Sequence, residues 1–273
     1  MNRPSGRHLV ISALLLLPLL GASQEIRSHG HPSPQLSSRP TLWHPPLNTN
    51  WQWQLTTPVD RNVKVQMYDI DMFDNDASVV ASLHNKGRKV VCYIDVGTWE
   101  NWRPDAKKFP KFVLGKHNGW PGERWLDIRR LDILGPIMQA RMDLCQVKGF
   151  DAMEPDNVDG YANDTGFRLT YNDQIAYNTF IANQAHARGL SVGLKNDLDQ
   201  ITDLLSTFDW ALDEECFYYR ECGKLVPFIK AGKAVFEVEY FLPMKKFCPE
   251  ANSLNFNSMK KHRALDAYRV PCR

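Results

Sequence analysis

Apolar positions along the chain follow two periods. Short β-branched or alternating runs at 52–55, 63–68, 89–94, 150–153, 191–194, 210–212 and 234–238 predict strands. Between them, apolar residues recur at helical spacing over 76–86, 132–148, 173–188, 199–206 and 227–231. Gly87, Gly149, Gly189 and Gly232 follow the helical stretches, as stop signals do. A further run at 265–269 is a candidate eighth strand. Alternating strands and helices imply a parallel sheet. Eight strands in the ~220 residues left after the N-terminal region suit the α/β class, as a single (β/α)8 TIM barrel. In that architecture the active site lies at the C-terminal rim of the strands. An open doubly wound sheet is the alternative, but no GxGxxG follows the first strand.

The hydrophobic pattern also divides the chain. Residues 1–23 read as a secretory signal peptide: Arg3 and Arg7 precede a 9–20 apolar run, and Gly21, Ala22 and Ser23 form a small-residue cleavage site. The run is shorter than the ~20 residues of a membrane-spanning helix. Residues 24–47 are rich in Pro, Ser and His and read as a flexible leader. Residues 48–273 then form one domain. These features predict a secreted, extracellular protein with no membrane association after cleavage. Lys and Arg number 33 against 31 Asp and Glu, and loss of the signal removes two Arg and no acid, leaving a neutral chain. Neutrality gives no support for nucleic-acid binding.

Export changes the reading of the six cysteines. In an oxidising compartment an even number suggests disulfides. Cys216 with Cys222 and Cys248 with Cys272 are the expected pairs; Cys92 and Cys145 either pair or remain buried thiols. No His/Cys spacing fits zinc, and the aspartates at 69, 71, 74 and 76 lack the glycine and closing glutamate of a calcium loop. Neither a metal nor another cofactor is expected, and Asp76 reads as a helix N-cap.

The chemistry gathers at the strand ends. Asp69 and Asp71 follow the second strand and Asp95 closes the third. Glu154, Asp156 and Asp159 follow the fourth, with Lys195, Asn196 and Asp197 at the fifth. Asp213, Glu214 and Glu215 close the sixth, and Glu237, Glu239 and Tyr240 the seventh. On a barrel rim, acids distant in sequence converge. Paired carboxylates there suit glycoside hydrolysis, one acting as acid and the other as nucleophile or base. Trp99, Trp102, Trp120 and Trp125 lie in the long segment after the third strand, and Tyr161 and Tyr240 follow rim acids. Such rings stack on sugar faces. Asn163 opens a glycosylation sequon.

Several of these stretches resemble glycoside hydrolase family 114, the endo-α-1,4-polygalactosaminidases. They are VCYIDVG (91–97), WPGERWLDI (120–128), GFDAMEPDNVDGY (149–161), GLKND (193–197), EECF (214–217) and KAVFEVEY (233–240). The resemblance spans about 50–272 and implies a (β/α)8 barrel. It implies endo-cleavage of α-1,4-linked galactosamine polymers with retention of configuration. It places the nucleophile at Asp156 and the acid/base at Glu214. The family often has Asn-Glu-Gln-Cys around that glutamate; here carboxylates, Asp213 and Glu215, flank it. The residues expected to bind substrate are Asp69, Asp71, Asp95, Trp99, Trp125, Asp159, Tyr161, Lys195, Asn196, Asp197, Glu239 and Tyr240. The expected partner is a cationic galactosamine-containing polysaccharide. The alternative is a secreted carbohydrate-binding barrel that has lost catalysis.

Overall fold

The structure, a computed structural model, describes residues 42–273. The expected signal segment and leader residues 24–41 lie outside the described residues. The last stretch of the expected leader is packed: Trp43 rests on an apolar cluster, and His44 Nδ1 lies 3.4 Å from Asp209 Oδ1.

Eight parallel strands form one curled sheet: β1 (Trp51–Gln54), β2 (Met67–Asp71), β3 (Lys89–Asp95), β7 (Ala152–Asp156), β8 (Ser191–Lys195), β9 (Trp210–Glu214), β10 (Val235–Glu239) and β11 (Asn257–Lys260). A two-residue strand β12 (Val270–Pro271) pairs antiparallel with β11. The chain leaves the sheet after β3 for a small antiparallel sheet of β4 (Thr98–Glu100), β5 (Leu114–His117) and β6 (Glu123–Leu126). Helices α1 (Ala77–His84), α2 (Leu131–Lys148) and α3 (Tyr171–Ala187) cover one face. The later connections carry the short helices α4 (Ile201–Leu204), α5 (Cys216–Tyr219), α6 (Val226–Lys230) and α7 (Met244–Ser253).

Strand side chains alternate between two environments. One set meets the helices in the larger core, with Ile70, Cys92, Ile94, Val192 and Val235. The other set gathers on the concave face: Trp51, Trp53, Met67, Val91, Trp210, Phe236 and Met259 form a separate cluster. Trp51 and Phe236, from β1 and β10, approach to 4.8 Å between ring centroids, and Trp51 Nε1 donates to the Asn257 carbonyl at 2.8 Å. The curl therefore brings the first and eighth strands within reach of one side chain. Gly193 makes room for this filling, because a Cβ there would stand 2.4 Å from the Trp210 ring.

Two expectations move. The second strand starts at Met67 rather than 63, since the Val65 amide bonds back to the Val63 carbonyl in a tight turn. The eighth strand is Asn257–Lys260, not 265–269. Its polar sequence hides the signal, yet Met259 fills the interior and Phe236, Val238 and Glu239 supply its ladder partners. Asp76 sits at the N-cap of α1 without a side-chain capping bond. Both expected disulfides form, and Cys92 pairs with Cys145, tying β3 to α2. Among the described residues, no helix is long and apolar enough to cross a membrane.

Candidate active site

A cleft of about 550 Å³ opens at the C-terminal ends of the strands. It contains Asp156 from β7, Lys195 from β8, Glu214 from β9 and Tyr240 just after β10. A smaller cavity of about 390 Å³ lies at the opposite strand ends, around Asn50, Asn257 and Arg269, with no carboxylate in its lining.

Lys195 organises the centre. Its buried ammonium lies 2.9 Å from Asp156 Oδ1, 3.0 Å from Glu154 Oε1 and 3.2 Å from Glu214 Oε2, and 4.8 Å from the centre of the Trp53 ring. One nitrogen thus spans two carboxylates, so their bridged oxygens stand no more than about 6 Å apart. Burial opposes the charge on Lys195, but Asp156, Glu154 and Glu214 overcome it and hold the ammonium protonated.

Asp156 receives three donors. Tyr93 Oη gives a 2.8 Å bond to Oδ2; Lys195 and the Asn157 amide, each at 2.9 Å, serve Oδ1. Burial raises its pKa, but the Lys195 charge and these hydrogen bonds prevail and hold the carboxyl below its ordinary range. Glu214 Oε2 accepts from Asn196 Nδ2 at 2.9 Å, and Oε1 accepts from the Tyr240 hydroxyl. The Asn196 Oδ1 takes the Glu214 amide at 2.9 Å, which fixes side chain and backbone together.

The backbone aims these groups. Asn157, Asn196 and Glu215, the residues directly after β7, β8 and β9, all adopt left-handed φ, at 59°, 52° and 67°. Asn tolerates this region; Glu does so under strain. Gly97 allows the Asn157 turn, since a Cβ at Gly97 would fall 1.6 Å from the Asn157 carbonyl oxygen.

The other expected residues divide. Lys195, Asn196 and Tyr240 line the cleft beside the two carboxylates. Asp71 also lines it, but both its oxygens are held by Arg103, at 3.1 and 2.5 Å. Asp95 lies beneath, accepting from the Gly97 and Thr98 amides and from Asn157 Nδ2 at 2.8 Å; burial, Glu100 and Asp156 push it up to about 7. Asp69 is fully buried against Glu154, and burial, then the Glu154 charge, raises it well above the carboxylate range. Glu154 is itself pushed up to about 7, chiefly by burial. Asp159, Tyr161 and Asp197 do not line the cleft. Tyr161 packs edge-on to Tyr171, Asp197 accepts from Asn178 at 3.0 Å, and burial raises Asp159.

Glu239, Trp125 and Trp99 also lie outside the cleft lining. Glu239 turns away from the cleft to accept the Phe217 and Tyr218 amides, both at 3.0 Å. Trp125 is buried, and Trp99 packs on the core with its Nε1 bonded to the Ala106 carbonyl. Trp53, Trp102 and Trp120 line the cleft; Trp53 is buried at its floor, and the other two are 50% and 52% exposed. Sequence reading also missed Tyr93, Trp53 and Glu123. The first two were within reach of it: Tyr93 shares the face of Asp95 by period-two alternation, and Trp53 alternates with Trp51 in β1. Glu123, pushed up to about 7 by burial, Asp95 and Asp156, comes from the antiparallel excursion and carries no such signal.

A curled parallel sheet with two bridged carboxylates at its C-terminal rim has the arrangement that glycoside hydrolases use. The model of glycoside-hydrolase family GH114 matches residues 32–273. The crystal structure of Aspergillus fumigatus Ega3 in complex with galactosamine is 40% identical, with a TM-score of 0.81 over 85% of this chain and 98% of that one. The chain belongs to family GH114 and is a glycoside hydrolase. The glycoside hydrolase domain of PelA from Pseudomonas aeruginosa, 11% identical, shares the fold with a TM-score of 0.64 over 82% of this chain and 98% of that one. An α-galactosidase from Thermus thermophilus, 12% identical, does so with a TM-score of 0.53 over 81% of this chain and 58% of that one. No curated protein sequence matches the chain.

Proposed function

We propose that this protein is a secreted endo-hydrolase of α-1,4-linked, galactosamine-containing polysaccharide and that it acts with retention of configuration. The observation that supports the mechanism is the Lys195 bridge between Asp156 and Glu214, which keeps their bridged oxygens within about 6 Å and so is compatible with the close pairing a retaining mechanism needs. Asp156, held ionised, attacks the anomeric carbon while Glu214 gives a proton to the departing glycosidic oxygen. The resulting glycosyl ester on Asp156 is then hydrolysed by a water that surrenders its proton to Glu214. Tyr240 and Asn196 hold the Glu214 carboxyl in one orientation through both steps.

The substrate follows from the charge of the cleft. Seven carboxylates line it against Arg103, Lys195 and Arg263, so its field favours a cationic sugar. Unacetylated galactosamine is such a sugar, and Ega3 is a family relative crystallised with galactosamine. Secretion is supported by the three disulfides together with the signal pattern of residues 1–23. The hydrolase domain would then be 48–273, and closure of β11 on β1 around Trp51 would complete a (β/α)8 barrel.

The test is mass spectrometry of products from partly deacetylated α-1,4-galactosamine polymer, with anomeric configuration followed by proton NMR. Wild type should release oligosaccharides of the retained anomer. Asp156→Asn should lose turnover by about 10⁴-fold or more and Glu214→Gln nearly as much, with unchanged circular dichroism. Near-normal turnover in Asp156→Asn, or inverted product, overturns the mechanism.

A further inference from the structure

Beside the cleft, on the Glu214 side, stands a group of large apolar side chains with no place in the core. Tyr218, Tyr219 and Phe241 are 51%, 61% and 61% exposed. Tyr218 sits centrally, perpendicular to Tyr219 at 5.1 Å between centroids and tilted to Phe241 at 6.4 Å. Contiguous exposed apolar side chains of this kind are a candidate binding surface. It is continuous with the active-site cleft: Tyr219 shares the cleft lining with Glu214 and Glu215, and Phe241 directly follows the Tyr240 that bonds Glu214.

The cluster is held firmly. Cys216–Cys222 closes the loop that carries both tyrosines. The buried Glu239 carboxylate accepts the Phe217 and Tyr218 amides at 3.0 Å each. Phe217 turns inward against Phe247 and Phe256, at 5.9 and 6.4 Å, while Tyr218 and Tyr219 face outward. A fixed set of rings loses little conformational freedom when a ligand stacks on it.

We propose that Tyr218, Tyr219 and Phe241 form a stacking platform for sugar units on the leaving-group side of the scissile bond. This rests on the proposed roles of Asp156 and Glu214. The general acid must face the departing oxygen, so the units beyond that oxygen run past Glu214 toward this platform. Apolar C–H faces of those sugars would cover rings that are otherwise left in water. The platform thus recognises polymer length, apart from the charge recognition inside the cleft.

The experiment compares two substrates: the galactosamine polymer, and a short oligogalactosaminide with a nitrophenyl leaving group that ends at the cleavage point. In Tyr218→Ala/Phe241→Ala, kcat/KM on the polymer should fall roughly tenfold or more, mainly through KM, while the short substrate changes less than about twofold. Equal losses on both substrates, or no loss on the polymer, overturn the platform. Wild type that cleaves neither substrate overturns the catalytic reading instead. The platform is then judged by calorimetric titration of polymer into wild type and the double variant, and equal affinities overturn it. A shift in oligomeric state by sedimentation, with polymer kinetics unchanged, would assign the rings to self-association and also overturn the proposal.

Discussion

Lys195 is the residue on which the site turns. Three carboxylates, Glu154, Asp156 and Glu214, lie within 3.2 Å of its ammonium. Like charges so close repel strongly in a buried setting, and one fixed cation between them lets Asp156 stay ionised. Lys195→Met removes that cation and a hydrogen bond to Asp156, so the Asp156 pKa rises. The acid limb of the kcat/KM profile should therefore move to higher pH, and kcat should drop by roughly 10²-fold or more. A pH–rate series on the variant checks both, with thermal melting as the control for folding. An unmoved acid limb would remove Lys195 from its role. In the sequence, Lys195 could be recognised as a rim residue within GLKND. Its three partners could not be counted there, because they lie on two other strands and meet it only through the curl of the sheet.

At the scale of elements, the helices and central strands were the most legible parts. α2 ends at Lys148 with Gly149 as its C-cap, α3 ends at Ala187, two residues before Gly189, and β3 and β8 begin where their apolar runs begin. The misplaced eighth strand shows the limit. Asn257–Lys260 has almost no intrinsic β pattern and owes its conformation to β10 beside it. The excursion β4–β6 was visible as a tryptophan-rich segment, but which tryptophans face solvent depends on its docking. Arg103, bonded to Glu100 and Asp71, and Arg141, bonded to Asp105 and the Asp95 carbonyl, fix that docking. The Cys92–Cys145 bridge joins elements 53 residues apart. Replacing both by Ser should lower stability to urea by ~2–4 kcal/mol, with activity at low denaturant preserved because neither sulfur reaches the cleft. An unchanged unfolding midpoint would show that core packing alone holds β3 to α2.

Across the whole molecule, buried carboxyls set the response to pH. Burial leads in raising Asp69, Asp213 and Glu237 well above the usual range, Asp95 and Glu154 to about 7, and Asp197 to about 8. In the unfolded chain such groups lose their protons near pH ~4. Between that pH and their folded values the native state holds more protons than the unfolded one, so stability falls as pH rises. The depressed Asp156 acts in the opposite sense, but only below about pH 4. The thermal midpoint should therefore be higher at pH 5 than at pH 8; scanning calorimetry at the two values decides it, and a higher midpoint at pH 8 would refute the protonated interior. Composition could not reveal this, because it counts acids without their burial. By itself the sequence determined the class of fold, both neighbouring disulfides, the acidic strand ends and the family, since these depend on local period, spacing and motif. Tertiary structure decided which acids ionise, which tryptophans meet solvent, and that Glu239 braces a loop while Lys195 joins two carboxylates. Those outcomes follow from burial and distance, and both are set only when strands remote in sequence curl around a shared interior.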